Sequence, residues 1–329
     1  MPANLSHEYR RVETLYREAK EPSERLACLV EMLRVIPKHK GTDHMQADIK
    51  KRISQIKLQM EKAGSGGKKQ TSHMVRHEGA GQIVLVGTPN TGKSHLVKSL
   101  THASPVVGEH PFSTHAPVPG MMAYADIHIQ LVDLPPISRQ HTEKWIADCV
   151  RVADAAFIVL DLNSSTPDES YKEVMEIMLK GFVSLAAVDD APPADFRVKQ
   201  IPSLVVVNKC DAEEDDELLE LVIELVPTKM QFIPVSAKTG RGLEGLREAA
   251  FKMLNIMRVY SKAPGKPADM KEPFAVPCES TVLEFATTVH QDFARDFKSA
   301  RIWGVAKFDG QSVSGDHVLH DGDIVELRT

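Results

Sequence analysis

The chain has 329 residues, of which 42% are apolar, and its formal net charge is −5 at pH 7. This size and composition predict a globular protein of about two or three domains. The slight acidity gives no overall reason to expect nucleic-acid binding, so any basic surface must be local. The polar N-terminus and the lack of a long apolar run predict no signal segment and no membrane span. The four cysteines lack disulfide or metal-pair spacing, which favours a reducing compartment and hence the cytoplasm.

The first part of the chain, residues 5–63, is predicted to be helical. A helix over about 43–62 carries apolar residues spaced by threes and fours, and an earlier helix is expected to end near Ile36 because Pro37 follows. The glycine-rich stretch 64–67 ends this part as a flexible linker. The apolar positions of the third helix are Met45, Ile49, Ile53, Ile56 and Met60.

The pattern changes after residue 80 to short apolar runs that alternate with helical patterns. Continuous apolar runs are typical of strands covered on both faces, as in a parallel sheet. The runs lie at 83–86, 127–132, 155–160, 204–207 and 232–235. The helical patterns lie at 93–103, 143–152, 167–180, 214–225 and 243–258. This alternation predicts a doubly wound α/β domain over residues 80–258.

The last part of the chain begins with a segment rich in Lys, Pro and Gly at 259–273, which is predicted to be a linker. Residues 274–329 follow as a compact α+β module. It is expected to contain a first strand, a helix near 281–297, and strands at 301–308 and 323–328.

A phosphate-binding loop is predicted where the first apolar run ends and a helix begins. The segment reads Gly87, Thr88, Pro89, Asn90, Thr91, Gly92, Lys93 and Ser94, which fits G-x-x-x-x-G-K-[ST]. In this motif the glycines let main-chain N–H groups face the phosphates, and the helix adds its positive end. Lys93 is placed to neutralise the β- and γ-phosphates, and Ser94 to ligate Mg²⁺.

Two later loops indicate which base is bound. Asn208, Lys209 and Asp211 follow a buried strand, where the loops of an open α/β sheet face the ligand. The Asp211 carboxylate can accept hydrogen bonds from the guanine ring N–H and the exocyclic amine. Adenine lacks this donor pair and would leave the carboxylate unpaired, which disfavours an enzyme that uses ATP. The second loop, whose main-chain N–H groups can meet the guanine oxygen, is Ser236, Ala237 and Lys238.

These ordered motifs resemble those of the Obg family of translation-factor-class GTPases, in particular its DRG branch. The resemblance includes His110 to Thr114, Asp133-Leu134-Pro135, and tail segments such as 300–304 and 320–325. The tail is similar to a TGS domain, a ubiquitin-like β-grasp module. The resemblance therefore implies a helical arm and linker at 1–70, a P-loop GTPase domain at 80–258, a linker at 259–273, and a TGS-like β-grasp domain at 274–329.

The resemblance also implies residue roles. Thr114 corresponds to the switch I threonine that ligates Mg²⁺, and Asp133 to the carboxylate that holds Mg²⁺ through water. Asn90 corresponds to an asparagine that helps to bind K⁺ in potassium-activated relatives, although it can equally be a loop residue that only caps a local turn. Together with Lys93, these residues are the expected catalytic group for hydrolysis of GTP to GDP.

One departure from the family pattern bears on catalysis. The family motif Asp-x-x-Gly reads Asp133-Leu134-Pro135-Pro136 here, and Pro136 has no N–H for the γ-phosphate. Ile137 follows, where a water-positioning glutamine would stand in other GTPases. An alternative function is therefore open, in which the protein senses GTP as a binding module with little intrinsic hydrolysis.

Basic residues are concentrated in the segment between Lys38 and Arg76. Clustered Lys and Arg attract nucleic-acid phosphates, but a solvated helix face explains the same pattern. The family resemblance favours the ribosome, through ribosomal RNA or associated proteins, as the partner of a nucleotide-dependent factor.

Overall fold

The computed structural model describes residues 7–19, 22–36, 42–63, 73–101, 116–140, 142–212, 215–305 and 308–328. The predicted linker at 64–67 and the predicted switch I residues up to Thr114 lie outside these ranges. The chain divides into two units. One comprises Met1–His73 with Ala191–Gln200, and the other comprises Met74–Asp190 with Ile201–Thr329.

The first unit is helical, as the sequence predicts. Its helices are α1 (His7–Glu18), α2 (Pro22–Val35) and α3 (Asp43–Ala63). Apolar side chains of all three helices form one core, against which Phe196 also packs. Helix α2 ends directly before Ile36, as expected from the steric effect of Pro37 on the preceding residue. The buried members of this core are Tyr9, Val12, Cys28, Leu29, Met32, Ile36 and Ile49.

The second unit contains two sheets, and the larger one carries the phosphate loop. Its strands are β1 (Gln82–Val86), β2 (Val118–Tyr124), β3 (Ile127–Asp133), β4 (Ala155–Asp161), β5 (Val183–Ala186), β6 (Lys199–Asn208) and β7 (Phe232–Pro234). They lie in the order β2-β3-β1-β4-β6-β5, and β7 also pairs with β6. Strands β3, β1, β4, β6 and β7 run parallel, whereas β2 is antiparallel to β3.

Helices cover both faces of this sheet. They are α4 (Lys93–Thr101), α5 (Lys144–Val152), α6 (Pro167–Lys180), α7 (Asp216–Leu225) and α8 (Leu243–Met253). Successive strand residues alternate between two apolar cores. Val84 and Ile158 pack on the side of α5 and α6, whereas Leu85 and Phe157 pack on the side of α4 and α8. Burial of both faces explains why these strands are continuously apolar, and it confirms the predicted doubly wound fold.

The smaller sheet forms the C-terminal module. Its strands are β8 (Ile256–Ser261), β9 (Phe274–Pro277), β10 (Ser299–Trp303), β11 (Gln311–Val313) and β12 (Asp323–Arg328), in the order β11-β10-β12-β8-β9. Strand β12 is parallel to β8, and the other pairs are antiparallel. Helix α9 (Val282–Val289) buries Phe285 in the core beneath this sheet, and α10 (Gln291–Arg295) follows.

Several predicted elements end elsewhere in the structure. The helical pattern at 243–258 ends at Met253, and residues 256–261 form β8 because they pair with β9 and β12. The single helix predicted near 281–297 is divided at His290, whose φ of −170° and ψ of 143° are extended. The strand predicted at 301–308 ends at Trp303, before Gly304, whose φ of 139° excludes most other residues.

Candidate functional site

The phosphate loop connects the end of β1 to the start of α4. The Thr91 carbonyl accepts a hydrogen bond from the Asn208 side-chain amide, and the Thr91 hydroxyl donates to the Thr88 carbonyl at 3.2 Å. These bonds hold the loop in a curved conformation at the N-terminus of α4, which is the positive end of the helix dipole. A concave main chain at a helix N-terminus is the arrangement that binds phosphate.

The two motif glycines are required by close contacts, with a main-chain oxygen at Gly87 and with a side-chain amide at Gly92. A Cβ atom on Gly87 would lie 2.5 Å from the Val159 carbonyl oxygen. Gly92 has a φ of +86°, and a Cβ atom there would lie 2.4 Å from Asn208 Nδ2. No side chain fits at either position, so the glycine spacing follows from the approach of β4 and of Asn208 at the end of β6.

Lys93 is buried inside the loop. Its ammonium donates to the carbonyl oxygens of Gly87 at 2.9 Å and of Thr88 at 3.1 Å. Burial lowers the pKa of Lys93 to about 8, although the nearby Asp133 opposes this shift. A bound phosphate would favour the charged ammonium, because an opposite charge at short range raises the pKa of a lysine.

Ser94 and Asp133 form a pair beside Lys93. The Ser94 hydroxyl donates to Asp133 Oδ2 at 2.5 Å. Asp133 lies at the end of β3, and its Oδ1 is buried without a hydrogen-bond partner among the described residues. Burial raises the pKa of Asp133, whereas the bond from Ser94 and the charge of Lys93 partly offset it. An unpaired carboxylate oxygen next to a hydroxyl fits the hard oxygen ligands that Mg²⁺ prefers.

Asn208 joins the phosphate loop to both base-recognition loops. Its amide donates to the Thr91 carbonyl at 2.9 Å, and its side-chain oxygen accepts from the Ala237 N–H at 3.1 Å. Asn208 is buried, so both bonds are shielded from water. Residues that are far apart in the sequence are therefore held in one site at the carboxyl ends of β1, β6 and β7.

Asp211 lies at the open side of this site. Its carboxylate accepts from the Ser236 hydroxyl at 2.6 Å, and the Lys238 ammonium lies 3.4 Å from Oδ2. The bond from Ser236 is the main reason that the pKa of Asp211 is below its usual value. Asp211 is thus an ionised acceptor at neutral pH, as an acceptor of two guanine hydrogen bonds must be.

The segment after Asp133, residues 134–139, is held by apolar packing and by main-chain hydrogen bonds. The side chains of Leu134 and Ile137 are fully buried in the apolar core, and the Ile137 N–H donates to the Gly87 carbonyl at 3.0 Å. The Arg139 N–H donates to Glu173 of α6 at 2.6 Å. With Ile137 buried and Pro136 lacking an N–H, neither residue offers a donor to a γ-phosphate.

The loop residue Asn90 is exposed and has a φ of 64°. Asparagine tolerates this left-handed conformation better than most residues. The conformation is compatible both with a turn residue and with a ligand to a cation. Thr114, the other predicted ligand beside the phosphates, lies outside the described residues.

One contact of the site was not predicted from the sequence. The Lys209 ammonium lies 2.6 Å from Asp161 Oδ2, at the end of β4. Lys209 also has a φ of 73°, which is uncommon for a residue other than glycine. The position of Asp161 directly after a buried apolar run was the available signal, because such positions face the ligand edge of the sheet.

Comparisons with known proteins agree with this geometry. Residues 82–209 match the family described as 50S ribosome-binding GTPase, and residues 257–329 match the TGS domain. A GTP-binding protein of Methanocaldococcus jannaschii is 29% identical, with 92% of each chain covered. Developmentally-regulated GTP-binding protein 1 of Xenopus laevis is 26% identical, covering 88% of this chain and 94% of its own. Ribosome-interacting GTPase 1 of Saccharomyces cerevisiae is 23% identical, covering 92% of this chain and 98% of its own.

A solved structure shows the same architecture. The YchF GTPase of Schizosaccharomyces pombe is 12% identical and matches with a TM-score of 0.50, covering 78% of this chain and 99% of its own. At this identity the likeness supports the fold alone.

The fold, the site and the matched families together define a P-loop GTP-binding protein with a C-terminal TGS domain. Over most of its length the chain is homologous to DRG-type GTP-binding proteins of the Obg family. The resemblance predicted from the ordered motifs is thereby confirmed. Among the described helices, none combines the length and hydropathy that crossing a bilayer requires.

Proposed function

We propose that this protein hydrolyses GTP to GDP and phosphate and acts as a nucleotide-dependent factor on the ribosome, in the cytoplasm. The observation that carries the nucleotide part is the double contact of Asn208, which brings the phosphate loop and both base loops into one site. A reducing compartment agrees with the four cysteines, none of which forms a disulfide within the described residues.

In this proposal the main chain from Gly87 to Ser94 binds the phosphates, and Lys93 neutralises the β- and γ-phosphates. Asp211 accepts hydrogen bonds from guanine. Asn208, Lys209 and residues 236–238 form the rest of the guanine-binding pocket. Ser94, Asp133 and Thr114 are the residues that would hold Mg²⁺, which supplies positive charge to the phosphate oxygens. Catalysis then rests on positioning of the attacking water and on charge, without a protein nucleophile.

K⁺ is proposed as a second cation, held in part by Asn90. A positive charge there would stabilise the negative charge of the transition state, as an arginine does in other GTPases. The test is steady-state phosphate release with Mg²⁺ in KCl and in NaCl at equal ionic strength. We expect faster release in KCl and loss of this difference in Asn90→Ala, whereas equal rates in both salts would exclude the K⁺ role.

The ribosome is proposed as partner because of the basic helical arm and a relative that is named a ribosome-interacting GTPase. Lys50 and Lys51 are exposed on α3. Each lysine that contacts a phosphate adds about one to the magnitude of the salt slope, which is the slope of log binding constant against log salt concentration for nucleic acid.

The double variant Lys50→Glu/Lys51→Glu tests this partner. We expect it to weaken cosedimentation with ribosomes and to lower the salt slope by about 2. The matched control is Lys144→Glu/Lys180→Glu, which changes two exposed lysines of the GTPase domain. Equal loss in both double variants, or no loss in either, would remove the arm from ribosome binding.

A second candidate function is a GTP-sensing module with slow hydrolysis. It is favoured by the segment after Asp133, where Pro136 lacks an N–H and the N–H of Ile137 is already bonded to Gly87. In that case neither Pro136 nor Ile137 gives the γ-phosphate a main-chain donor, and hydrolysis loses that contribution.

Single-turnover hydrolysis of wild type and Pro136→Gly separates the two candidates. If the sensing function holds, we expect the glycine variant to be about 10-fold faster, since one restored donor contributes at least that much. A wild-type rate comparable to that of the variant would show that Pro136 does not limit hydrolysis.

A further inference from the structure

Helix α7 carries three stripes of residues with the same helical spacing. Leu219 and Val222 of the helix, with Val226 directly after its end, face inward and pack on the core of the GTPase sheet. One position earlier, Leu218, Leu221 and Leu225 are 38%, 52% and 52% exposed. Residues at i, i+3 and i+7 lie on one side of a helix, so these leucines form a continuous exposed stripe beside the buried one.

The third stripe is acidic. Glu217, Glu220 and Glu224 have the same spacing and lie next to the exposed leucines on their outer side. None of the three forms an ion pair within the part of the chain that the structure describes. The surface of α7 therefore combines an apolar stripe with a row of uncompensated negative charges.

This arrangement does not stabilise the helix itself. Glu220 and Glu224 are four residues apart, and like charges at this spacing destabilise a helix. Glu224 lies in the last turn, where negative charge opposes the helix dipole and where no basic residue is present. Leucine side chains that remain exposed to water also contribute no hydrophobic stabilisation to the fold. Glu217 lies in the first turn and offsets the helix dipole there. Glu220, Glu224 and the exposed leucines do not serve folding in this way, so these residues are explained by contact with another molecule.

We propose that the exposed face of α7 binds a basic amphipathic helix of a partner protein. Leucine-type side chains of the partner would cover Leu218, Leu221 and Leu225, and its Lys or Arg residues would pair with the glutamates. The leucine stripe spans about 10 Å, which matches roughly two turns of a partner helix. RNA is disfavoured because its phosphates would be repelled by the acidic row.

The start of α7 is tied to the guanine-recognition loops. Arg241 Nη2 lies 3.0 Å from Asp216 Oδ1, and the Arg241 carbonyl accepts from the Ser236 N–H at 2.9 Å. A partner bound to α7 would thus lie beside the loops that hold the base, so partner binding and nucleotide affinity are expected to be linked.

The experiment measures fluorescence anisotropy of a labelled 15-residue peptide of Leu and Lys, with leucines at helical spacing, titrated with the full-length protein. A scrambled peptide of equal composition is the first control. We expect Leu221→Asp and Glu220→Lys/Glu224→Lys each to weaken binding at least 10-fold. Met270→Asp, which introduces the same charge at a side chain that is likewise 52% exposed, should change binding less than twofold.

Three results would overturn the proposal. The first is equal affinity for the helical and scrambled peptides, or no binding of either. The second is equal binding by Leu221→Asp and Met270→Asp. The third is a wild-type dimer in sedimentation velocity that Leu221→Asp dissociates, because the stripe would then belong to a second copy of this chain.

Discussion

At the scale of single residues, guanine selectivity rests on Asp211. Its carboxylate is ionised and positioned by Ser236 and Lys238, with Oδ1 and Oδ2 each in contact with one of them. An acceptor held in this way discriminates by leaving an unpaired charge when a base offers no donors.

The variant Asp211→Asn tests this role. An amide donates where the carboxylate accepts, so we expect at least about 100-fold weaker GTP binding, equivalent to about 3 kcal/mol. Xanthine presents an oxygen in place of the exocyclic amine, so binding of XTP should improve. Retained GTP affinity in Asp211→Asn would show that another group selects the base.

The residues of the site differ in how far the sequence reveals them. The phosphate loop is a contiguous string, so the pattern itself predicts the loop from Gly87 to Ser94, although the contacts that require its glycines come from β4 and β6. The ion pair between Lys209 and Asp161 depends on β4 and β6 being neighbours, and sequence spacing carries no such information. The burial of Ile137 likewise depends on packing across the sheet.

At the scale of elements, β2 was not predicted because it lacks a strand pattern. It contains Pro119 and Gly120, which are disfavoured inside a sheet. Among the described strands β2 lies at the edge of the sheet, where proline is tolerated. The division of the tail helix at His290 was also missed, although His290 accepts from the Asp292 N–H at 3.2 Å and so caps α10.

The boundary between the two sheets is an element-scale proposal. Residues 256–261 pair with strands of the smaller sheet, and the TGS match begins at residue 257. We therefore propose that the GTPase domain ends near residue 255, slightly earlier than the sequence pattern predicts. The segment 262–273 then connects β8 to β9 within the TGS domain.

Helix α9 provides a stability prediction. The Thr281 hydroxyl accepts from the Glu284 N–H at 3.3 Å, and Glu284 accepts from the Thr281 N–H at 2.7 Å, which forms a capping box. We expect Thr281→Ala to destabilise the TGS core by about 1 kcal/mol. Amide hydrogen exchange in β10 should accelerate about fivefold. The control Thr288→Ala removes a hydroxyl within the same helix and should have little effect, so equal acceleration would contradict the capping role.

At the scale of the whole described unit, Arg258 links the GTPase sheet to the TGS sheet. Its guanidinium lies 3.0 Å from Asp126 Oδ1, in the turn between β2 and β3, and 2.7 Å from Asp321 Oδ2. Tyr260 donates a short hydrogen bond to Asp126. Burial alone raises the pKa of Asp126, but the bonds from Tyr260 and Arg258 outweigh it and hold the pKa below its usual value.

This network predicts a pH-dependent stability difference. The pKa of Asp126 is depressed in the folded state, so ionised Asp126 stabilises the folded protein above about pH 4. This stabilisation is lost as the pH falls through the folded-state pKa. We expect Asp126→Ala to lower the free energy of unfolding by about 1–2 kcal/mol at pH 7. Urea unfolding at several pH values should show this difference shrinking below pH 4, whereas the exposed control Asp309→Ala should show little difference at any pH. A difference that does not change with pH would contradict the ionic role of Asp126.

The central claim is that one site, built by the loop at Gly87–Ser94 and by Asp211, binds guanine nucleotide with Mg²⁺. Isothermal titration calorimetry of the folded full-length protein with GTP, GDP and ATP tests it most directly. We expect one molecule of GTP or GDP per chain, and ATP affinity at least about 100-fold weaker. Absence of guanine-nucleotide binding in the presence of Mg²⁺, or equal affinity for ATP, would contradict the account.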